Sequence, residues 1–366
     1  MEISCNSCGS PYPPENLPYI CAACGGLYDF RIPLSFDPAK VDRSQPGIWR
    51  FRHTFGLSPD VKAVSLGEGS TPLVTAEVLG RQVAFKCEFL NPSGSFKDRG
   101  SAVMAAWLQS RGIREALEDS SGNAGASFAA YAARAGIKAR VFVPESASGP
   151  KRRQIEAYGA ELVTVPGSRK DTAEAVRVVA GDGIVYASHA YLPFTLPGYA
   201  TAAYEIYEQL GNKLPGTIVL PAGQGGLLLG LARGFDTLRI VNKIEDNNPR
   251  IIGVQANKCA PLWATYTGVS PKAGLGEENH TLAEGVNVCK PLRRDSVIRA
   301  VVESQGTICA VKENEIMAGR DALARLGFYV EPTSAIVWPA LEQTIRNLPE
   351  PVVVVLTGSG YKYEQN

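Results

Sequence analysis

The chain has 366 residues, 45% of them hydrophobic and 20% charged, and a formal net charge of +1. That is ordinary globular composition, long enough to build a large core divided between domains. A near-neutral balance gives no electrostatic footprint for nucleic acid or an anionic membrane surface, and no run of about 18 apolar residues points to a transmembrane helix. The start, Met1-Glu2-Ile3-Ser4-Cys5, is not a signal peptide, so a cytoplasmic protein is expected.

Four of the eight cysteines, Cys5, Cys8, Cys21 and Cys24, form C-x2-C-x12-C-x2-C. Cys8 and Cys24 are each followed by a glycine, Gly9 and Gly25, so a turn can aim backbone N–H groups at the thiolates. The spacing suits a structural zinc ion, because four thiolates fill a tetrahedral site and leave no position for substrate. Two reduced CxxC pairs, or disulfides, are the alternative. Residues 1–30 are too few to own a core, so the metal would supply the folding energy of this zinc ribbon. The ribbon carries no basic stripe of the kind that reads nucleic acid. Cys87, Cys259, Cys289 and Cys309 are scattered singly and are expected to be buried free thiols.

The segment from Pro33 to Pro59 is rich in turn residues and aromatics and reads as a wrapping linker. Val83–Phe89 reads as a strand leading into Asn91-Pro92-Ser93-Gly94-Ser95-Phe96-Lys97-Asp98-Arg99-Gly100, and an apolar helix follows over Ser101–Leu108. Ser120-Ser121-Gly122-Asn123-Ala124-Gly125-Ala126-Ser127 then opens an alanine-rich helix over Phe128–Arg134. Strands are predicted at Lys138–Pro144 and Glu161–Val165 with a helix over Lys151–Tyr158 between them. Later strands are predicted at Thr217–Leu220, Ile251–Gln255 and Pro351–Leu356. The alternation predicts an α/β fold of parallel sheets with helices on both faces.

Three stretches carry chemistry. Lys97 falls at a helix start, where unpaired N–H groups and the helix dipole disfavour a cation. A lysine there serves better as a neutral amine, and the use of a neutral lysine is a Schiff base. The small-residue turn at Ser120–Ser127 offers N–H groups and hydroxyls to an anion such as a carboxylate. Pro221-Ala222-Gly223-Gln224-Gly225-Gly226-Leu227 follows a strand and opens a helix, the geometry of a phosphate cradle. Its spacing is G-x-G-G rather than the dinucleotide G-x-G-x-x-G.

Together these stretches resemble the pyridoxal-phosphate (PLP) enzymes of fold type II, the tryptophan synthase β superfamily, and within it threonine synthases. Gly67-Glu68-Gly69-Ser70-Thr71-Pro72-Leu73, Leu282-Ala283-Glu284-Gly285-Val286 and Leu356-Thr357-Gly358-Ser359-Gly360 resemble further motifs in the family's order. The resemblance implies two three-layer domains with parallel sheets, a large PLP-binding one from 31–98 and 191–366 and a small one from 99–190. It implies that Lys97 carries the cofactor and then acts as base at the substrate α-carbon. Asn123 would serve the cofactor's 3′-oxygen. Gly223, Gln224, Gly225, Gly226 and Leu227 would hold its phosphate, and Thr357 would face its pyridine nitrogen. Ser121, Gly122 and Ala124 would hold the carboxylate of an amino-acid substrate. A homodimer is expected from the same resemblance. For Thr357 and Ser359, turn chemistry at a strand end is an equal alternative.

The substrate is where the sequence departs from the family. Ser188–Tyr199 occupies the stretch where threonine synthases carry an arginine for the substrate's phosphate, and it contains none. Lys151, Arg152 and Arg153 could replace it if they face the cleft, although a solvated helix start is the plainer reading. Asp119 could repel an anionic side chain or merely pair with Arg99 or Arg114, and His189 either lines the pocket or is a structural histidine. Three readings follow: a threonine-synthase-type lyase acting on O-phosphohomoserine, a β-eliminating or β-replacing enzyme for a serine-like or diamino acid, and a non-catalytic zinc-ribbon scaffold.

Overall fold

The computed structural model describes residues 2–30, 33–147, 149–181, 183–245, 247–269 and 280–364. The chain begins with a two-stranded antiparallel ribbon, β1 (Ile3–Cys5) against β2 (Tyr28–Phe30). Gly9 and Gly25 take φ of 74° and 72°, a conformation that glycine adopts without strain. These turns bring the Sγ atoms of Cys5, Cys8, Cys21 and Cys24 within 4.8 Å of one another. The ribbon is fixed to the body through Asp29, a buried carboxylate that accepts from Arg233 at 2.7 and 2.8 Å and from Arg293 at 2.9 Å.

The linker behaves as its aromatics suggest. Trp49, Phe51 and Phe55 are buried, and Trp49 Nε1 donates to Glu68 Oε1 at 2.7 Å. Beyond it come β3 (Leu73–Val78), β4 (Arg81–Lys86), α1 (Lys97–Ser110), β5 (Glu115–Glu118), α2 (Asn123–Ala135) and β6 (Lys138–Pro144). Next are α3 (Pro150–Ala157), β7 (Glu161–Val165), α4 (Arg169–Gly181), β8 (Val185–Tyr186), α5 (Thr195–Gln209), β9 (Thr217–Pro221) and α6 (Gly226–Val241). The chain closes with β10 (Arg250–Ala256), α7 (Pro261–Thr267), α8 (Arg294–Glu303), β11 (Thr307–Val311), α9 (Glu313–Arg325), α10 (Pro332–Ala335), α11 (Val337–Thr344) and β12 (Val352–Val355).

Two main sheets result. One has six strands in the order β11-β10-β9-β12-β4-β3, parallel except for the antiparallel edge pair β3–β4. The other has four parallel strands in the order β7-β6-β5-β8. β9 and β12 are buried along their whole lengths, as strands covered on both faces must be, and their unbroken apolar runs announced it.

The strand predicted to reach Phe89 stops at Lys86, and Glu88–Leu90 forms a 3-10 turn. The reason is a buried ion network. Arg99 donates to both oxygens of Glu88 at 2.7 Å and to both oxygens of Glu205 at 2.9 and 2.6 Å, while Lys86 Nζ reaches Glu205 at 2.8 Å. Burial pushes the Glu88 and Glu205 carboxyls up, but the charges of Arg99 and Lys86 outweigh it and hold both below their usual range. The network ties the first turn of α1 to β4 and α5. α1 begins at Lys97 itself, the helix start the sequence places there, four residues before the apolar run Ser101–Leu108.

Candidate active site

In open α/β sheets, ligands bind beyond the carboxyl ends of the strands. Lys97 follows β4, the asparagine loop follows β5, the glycine loop follows β9 and Thr357 follows β12. The Lys97 ammonium stands over the rings of Phe96 and Tyr199, 4.9 and 5.9 Å from their centroids. It has no hydrogen-bond or ion-pair partner among the described residues. Burial lowers its pKa to about 8, with the Glu118 carboxyl as the opposing influence.

The glycine loop is an open set of donors. The N–H groups of Gly223, Gln224, Gly225, Gly226, Leu227 and Leu228 take no acceptor among the described residues, and the bonding of α6 begins at Leu229 N–H to Gly225 O, 2.9 Å. Six free donors at the positive end of a 16-residue helix are a site for a phosphate. Gly225 has φ of 83° and a Cβ there would lie 2.2 Å from Val297 Cγ2, so the turn requires glycine. The Gln224 side chain points away, accepting the Leu292 N–H at 3.1 Å. Only its backbone belongs to the cradle.

Asn123 opens α2. Its Nδ2 donates to Glu331 Oε1 at 2.6 Å, and its Oδ1 is buried without a partner. The N–H groups of Asn123, Ala124 and Gly125 are free among the described residues. With Ser121 they leave a helix start that can take an anion, while the Gly122 N–H is held by Ser120 Oγ at 3.2 Å. The buried Thr357 hydroxyl meets Ser334 Oγ at 2.9 Å.

These parts converge. Phe96 N–H donates to Thr357 O at 3.0 Å. A Cβ on Gly226 would lie 3.3 Å from the same Tyr199 ring that Lys97 faces, and one on Gly358 would lie 3.1 Å from Asn123 Nδ2. An amine of lowered pKa, an orphaned buried amide oxygen, a hydroxyl and a six-donor phosphate cradle suit PLP in one place. The four ribbon thiols suit a tetrahedral metal equally. Zn–S bonds of about 2.3 Å place sulfurs about 3.8 Å apart, and Cys5–Cys24 and Cys8–Cys21 stand at 3.5 and 3.7 Å.

The structure corrects several expectations. Asp119 pairs with neither Arg99 nor Arg114 but with Arg169 at 2.7 Å, because Arg99 is sealed in its own network. Lys151 is no solvated helix start. It is buried between Glu284 and Glu331 at 3.2 and 3.1 Å, and although burial lowers its pKa, those two charges raise it overall. Cys259 and Cys289 are not isolated, since their sulfurs lie 3.6 Å apart. Glu331 and Ser334, which touch Asn123 and Thr357, were not singled out from the sequence. The signal was a helix start, Glu331-Pro332-Thr333-Ser334, with proline at its first position.

The family model described as "Pyridoxal-phosphate dependent enzyme" matches residues 64–358. The chain belongs to that family. It is 32% identical to the threonine synthase of Methanocaldococcus jannaschii over 99% of this chain and 93% of the relative. It is 33% identical to that of Mycobacterium bovis over 90% of this chain and 92% of the relative. Among solved structures, the T.th. threonine deaminase superposes with a TM-score of 0.67 at 27% identity, covering 81% of this chain and 94% of that one. Maize serine racemase does so at 0.69 and 22% identity, covering 80% and 88%; at that identity the likeness speaks for the fold alone. The chain is thus a PLP-dependent lyase with threonine synthase homologues, and the scaffold reading falls away. No helix among the described residues is long and apolar enough to cross a membrane.

Proposed function

We propose that the chain is a threonine-synthase-type lyase that converts O-phosphohomoserine and water to threonine and phosphate. PLP would lie between a larger domain (31–98 and 191–366) and a smaller one (99–190), with zinc in the ribbon and two chains forming a cytoplasmic homodimer. The observation that carries the reading is the alignment with threonine synthases along 99% of the chain, with an unpartnered Lys97 amine beside the six free N–H donors at Gly223–Leu228. Bound there, PLP supplies an electron sink conjugated with the substrate's α-carbon. Gly223 to Leu227 would hold its phosphate through backbone N–H groups, and Asn123 would serve its ring oxygen. Thr357, its hydroxyl backed by Ser334 at 2.9 Å, would serve the ring nitrogen. The start of α2, with Ser121, Gly122 and Ala124, orients the substrate carboxylate. Lys97, poised as an amine, takes the α-proton.

A second reading, β-elimination or β-replacement on a serine-like or diamino acid, is favoured by the missing arginine in 188–199. One guanidinium reaches that stretch from outside it: Arg293 donates to Tyr191 O at 3.1 Å but is committed to Asp29 and Tyr28 O. The test is to supply O-phosphohomoserine and follow both products. Equal release of phosphate and threonine supports the proposal. Phosphate with 2-oxobutanoate indicates elimination. No turnover, with pyruvate formed from serine-type substrates, moves the function to the second reading.

A further inference from the structure

β5 and β8 pair in parallel, Ala116 with Val185 and Leu117 with Tyr186, and Ala187 N–H continues the ladder to Leu117 O at 2.7 Å. Their carboxyl ends therefore emerge side by side at the cleft. Glu118 ends one strand, and Ser188-His189 follow the other. One residue then engages both oxygens of the buried Glu118 carboxyl: His189 N–H reaches Oε2 at 3.2 Å, and His189 Nδ1 lies 3.1 Å from Oε1. The backbone contact fixes the residue and the ring contact fixes the imidazole plane. The far nitrogen, Nε2, has no partner among the described residues and keeps some contact with solvent. The His189 side chain is 15% exposed, and it lies close enough to Lys97 for that charge to act on the ring.

We propose that Glu118 and His189 form a proton relay opposite Lys97, in which His189 Nε2 protonates the group that leaves the substrate's side chain. The proposal rests on the PLP-lyase reading but not on which substrate is correct. The bond from carbon to the leaving oxygen or nitrogen breaks, and its electron pair departs with that atom. The proton on Nε2 moves to it, Nδ1 takes the proton held by Glu118, and Glu118 becomes a carboxylate. Lys97 has meanwhile gained the α-proton, so a cation appears as a new anion appears. The reverse sequence lets Nε2 accept a proton from an added water, or solvent reloads the pair.

The surroundings favour the loaded form before reaction. Burial pushes the Glu118 carboxyl up to about 7, against the backbone N–H bonds of Asp119 and His189 and the charges of Arg169 and Lys97. Burial, with Lys97 and Arg169, holds His189 well below its usual value, Asp119 opposing. Tyr186 and Tyr199 also feel the Glu118 charge. Arg169 is committed to Asp119 at 2.7 Å, which leaves Lys97 as the cation whose charge changes during the reaction. Below about 7 the pair has a proton on Glu118 and one on Nε2, so Nε2 donates. Above it, Nδ1 carries the proton toward a Glu118 carboxylate and Nε2 can only accept.

With three histidines in the chain, 15N-histidine NMR of the holoenzyme can follow His189, assigned by its loss in His189→Gln. The expected result is an Nε2–H tautomer at about pH 6 that switches to Nδ1–H as pH rises through about 7, and a single pH-independent tautomer in Glu118→Gln. A wild-type His189 that keeps one tautomer from about pH 5.5 to 9 overturns the relay, and this requires no variant beyond the assignment. Turnover gives the second readout. His189→Gln should lose roughly 100-fold with L-serine, whose hydroxyl needs a proton to leave, but stay within about threefold with β-chloro-L-alanine, whose chloride does not. Equal losses with both would mean a merely structural histidine and overturn the proposal. If the wild type turns over neither compound, that failure concerns the substrate reading, and the tautomer measurement decides the relay on its own.

Discussion

Lys97 offers the most quantitative test of the site. Burial brings it to about 8 from an ordinary value of 10.5. At pH 7 a group of pKa 8 is neutral in about one molecule in ten, whereas an ordinary lysine is neutral in about three or four per ten thousand. The ratio is roughly 300, and it is the advantage that position gives to nucleophilic attack on an aldehyde. Competitive acetylation of the apoprotein at trace reagent, read by mass spectrometry of the Lys97 peptide against an exposed lysine such as Lys62, measures it directly. Labelling of Lys97 should rise with pH, reach half its plateau near about 8 and flatten by about 9.5. Glu118→Gln removes the influence that opposes the shift, so the midpoint should move lower. In the holoenzyme, borohydride should fix the cofactor on Lys97, and Lys97→Ala should leave it unfixed. A labelling midpoint at about 10 or above, or a borohydride label on another peptide, would refute the assignment.

Asp29→Asn leaves Arg233 and Arg293 facing a neutral amide. Removing one partner of a buried pair costs about 3–5 kcal/mol, so thermal unfolding should fall by several degrees; a shift equivalent to under about 1 kcal/mol would show the anchor to be idle. Burial raises the Asp29 carboxyl, but Arg233 and Arg293 outweigh it and hold it below its usual value. Its stabilisation is therefore present above about pH 4 and lost as pH falls through the lowered value, which an acid titration of wild type and Asp29→Asn should display as converging stabilities. The ribbon should carry one zinc per chain, and Cys21→Ser should reduce metal content and loosen residues 1–30 without removing a group of the Lys97 site. Metal analysis finding no zinc after purification with zinc supplied would rule that out. Light scattering should give twice the chain mass of 39.1 kDa, and a monomer mass across micromolar concentrations would contradict the dimer.

The fold was legible where a single period or a single punctuation mark decides local structure. Val352–Val355 and Ile218–Leu220 are apolar without break and became central strands. Gly223-Gln224-Gly225 between a strand and a long apolar segment could only be a tight turn. β5 was obscured because Glu115 and Glu118 bracket just two apolar residues, and the environment that buries a charged strand end comes from β8, far later in the chain. What anchors the start of α1 was hidden for the same reason. Its first turn is held by Glu88 and Glu205, residues that no local pattern links to Arg99. At the site, Lys97, Asn123 and Thr357 stand beside recognisable loops, whereas Glu331 and Lys151 gain their positions from a contact between segments 180 residues apart. Side chains whose role depends on a tertiary partner leave little trace in sequence.

That last contact bears on the substrate. A dianionic side chain calls for a guanidinium or several donors, and the cations that the fold brings near the cleft are already engaged. Arg99 is closed between Glu88 and Glu205, Arg293 holds Asp29, and Arg169 holds Asp119. Lys151 is shared by Glu284 and Glu331. Lys362 donates to Ser93 O at 2.8 Å, and burial lowers its pKa to about 8. The hydroxyls divide in the same way. Ser93 is bonded to Asp98, whereas Ser95 Oγ is buried without a partner. A phosphate-bearing substrate would therefore rely on Ser95, on Lys362, which has no carboxylate partner at salt-bridge distance among the described residues and stays mostly charged at pH 7, and on drawing Lys151 from its carboxylates, of which Glu284 is the exposed and more easily released partner. The two substrate readings then separate on one residue. Lys151→Ala should weaken O-phosphohomoserine by the loss of a charge-assisted contact, about 1.5–3 kcal/mol or roughly 10- to 150-fold in kcat/KM. The same change also strips Glu331 of its cation beside Asn123, a cost shared by both substrates, so the test is the ratio: the loss with O-phosphohomoserine should exceed the loss with a neutral β-hydroxy substrate by that factor.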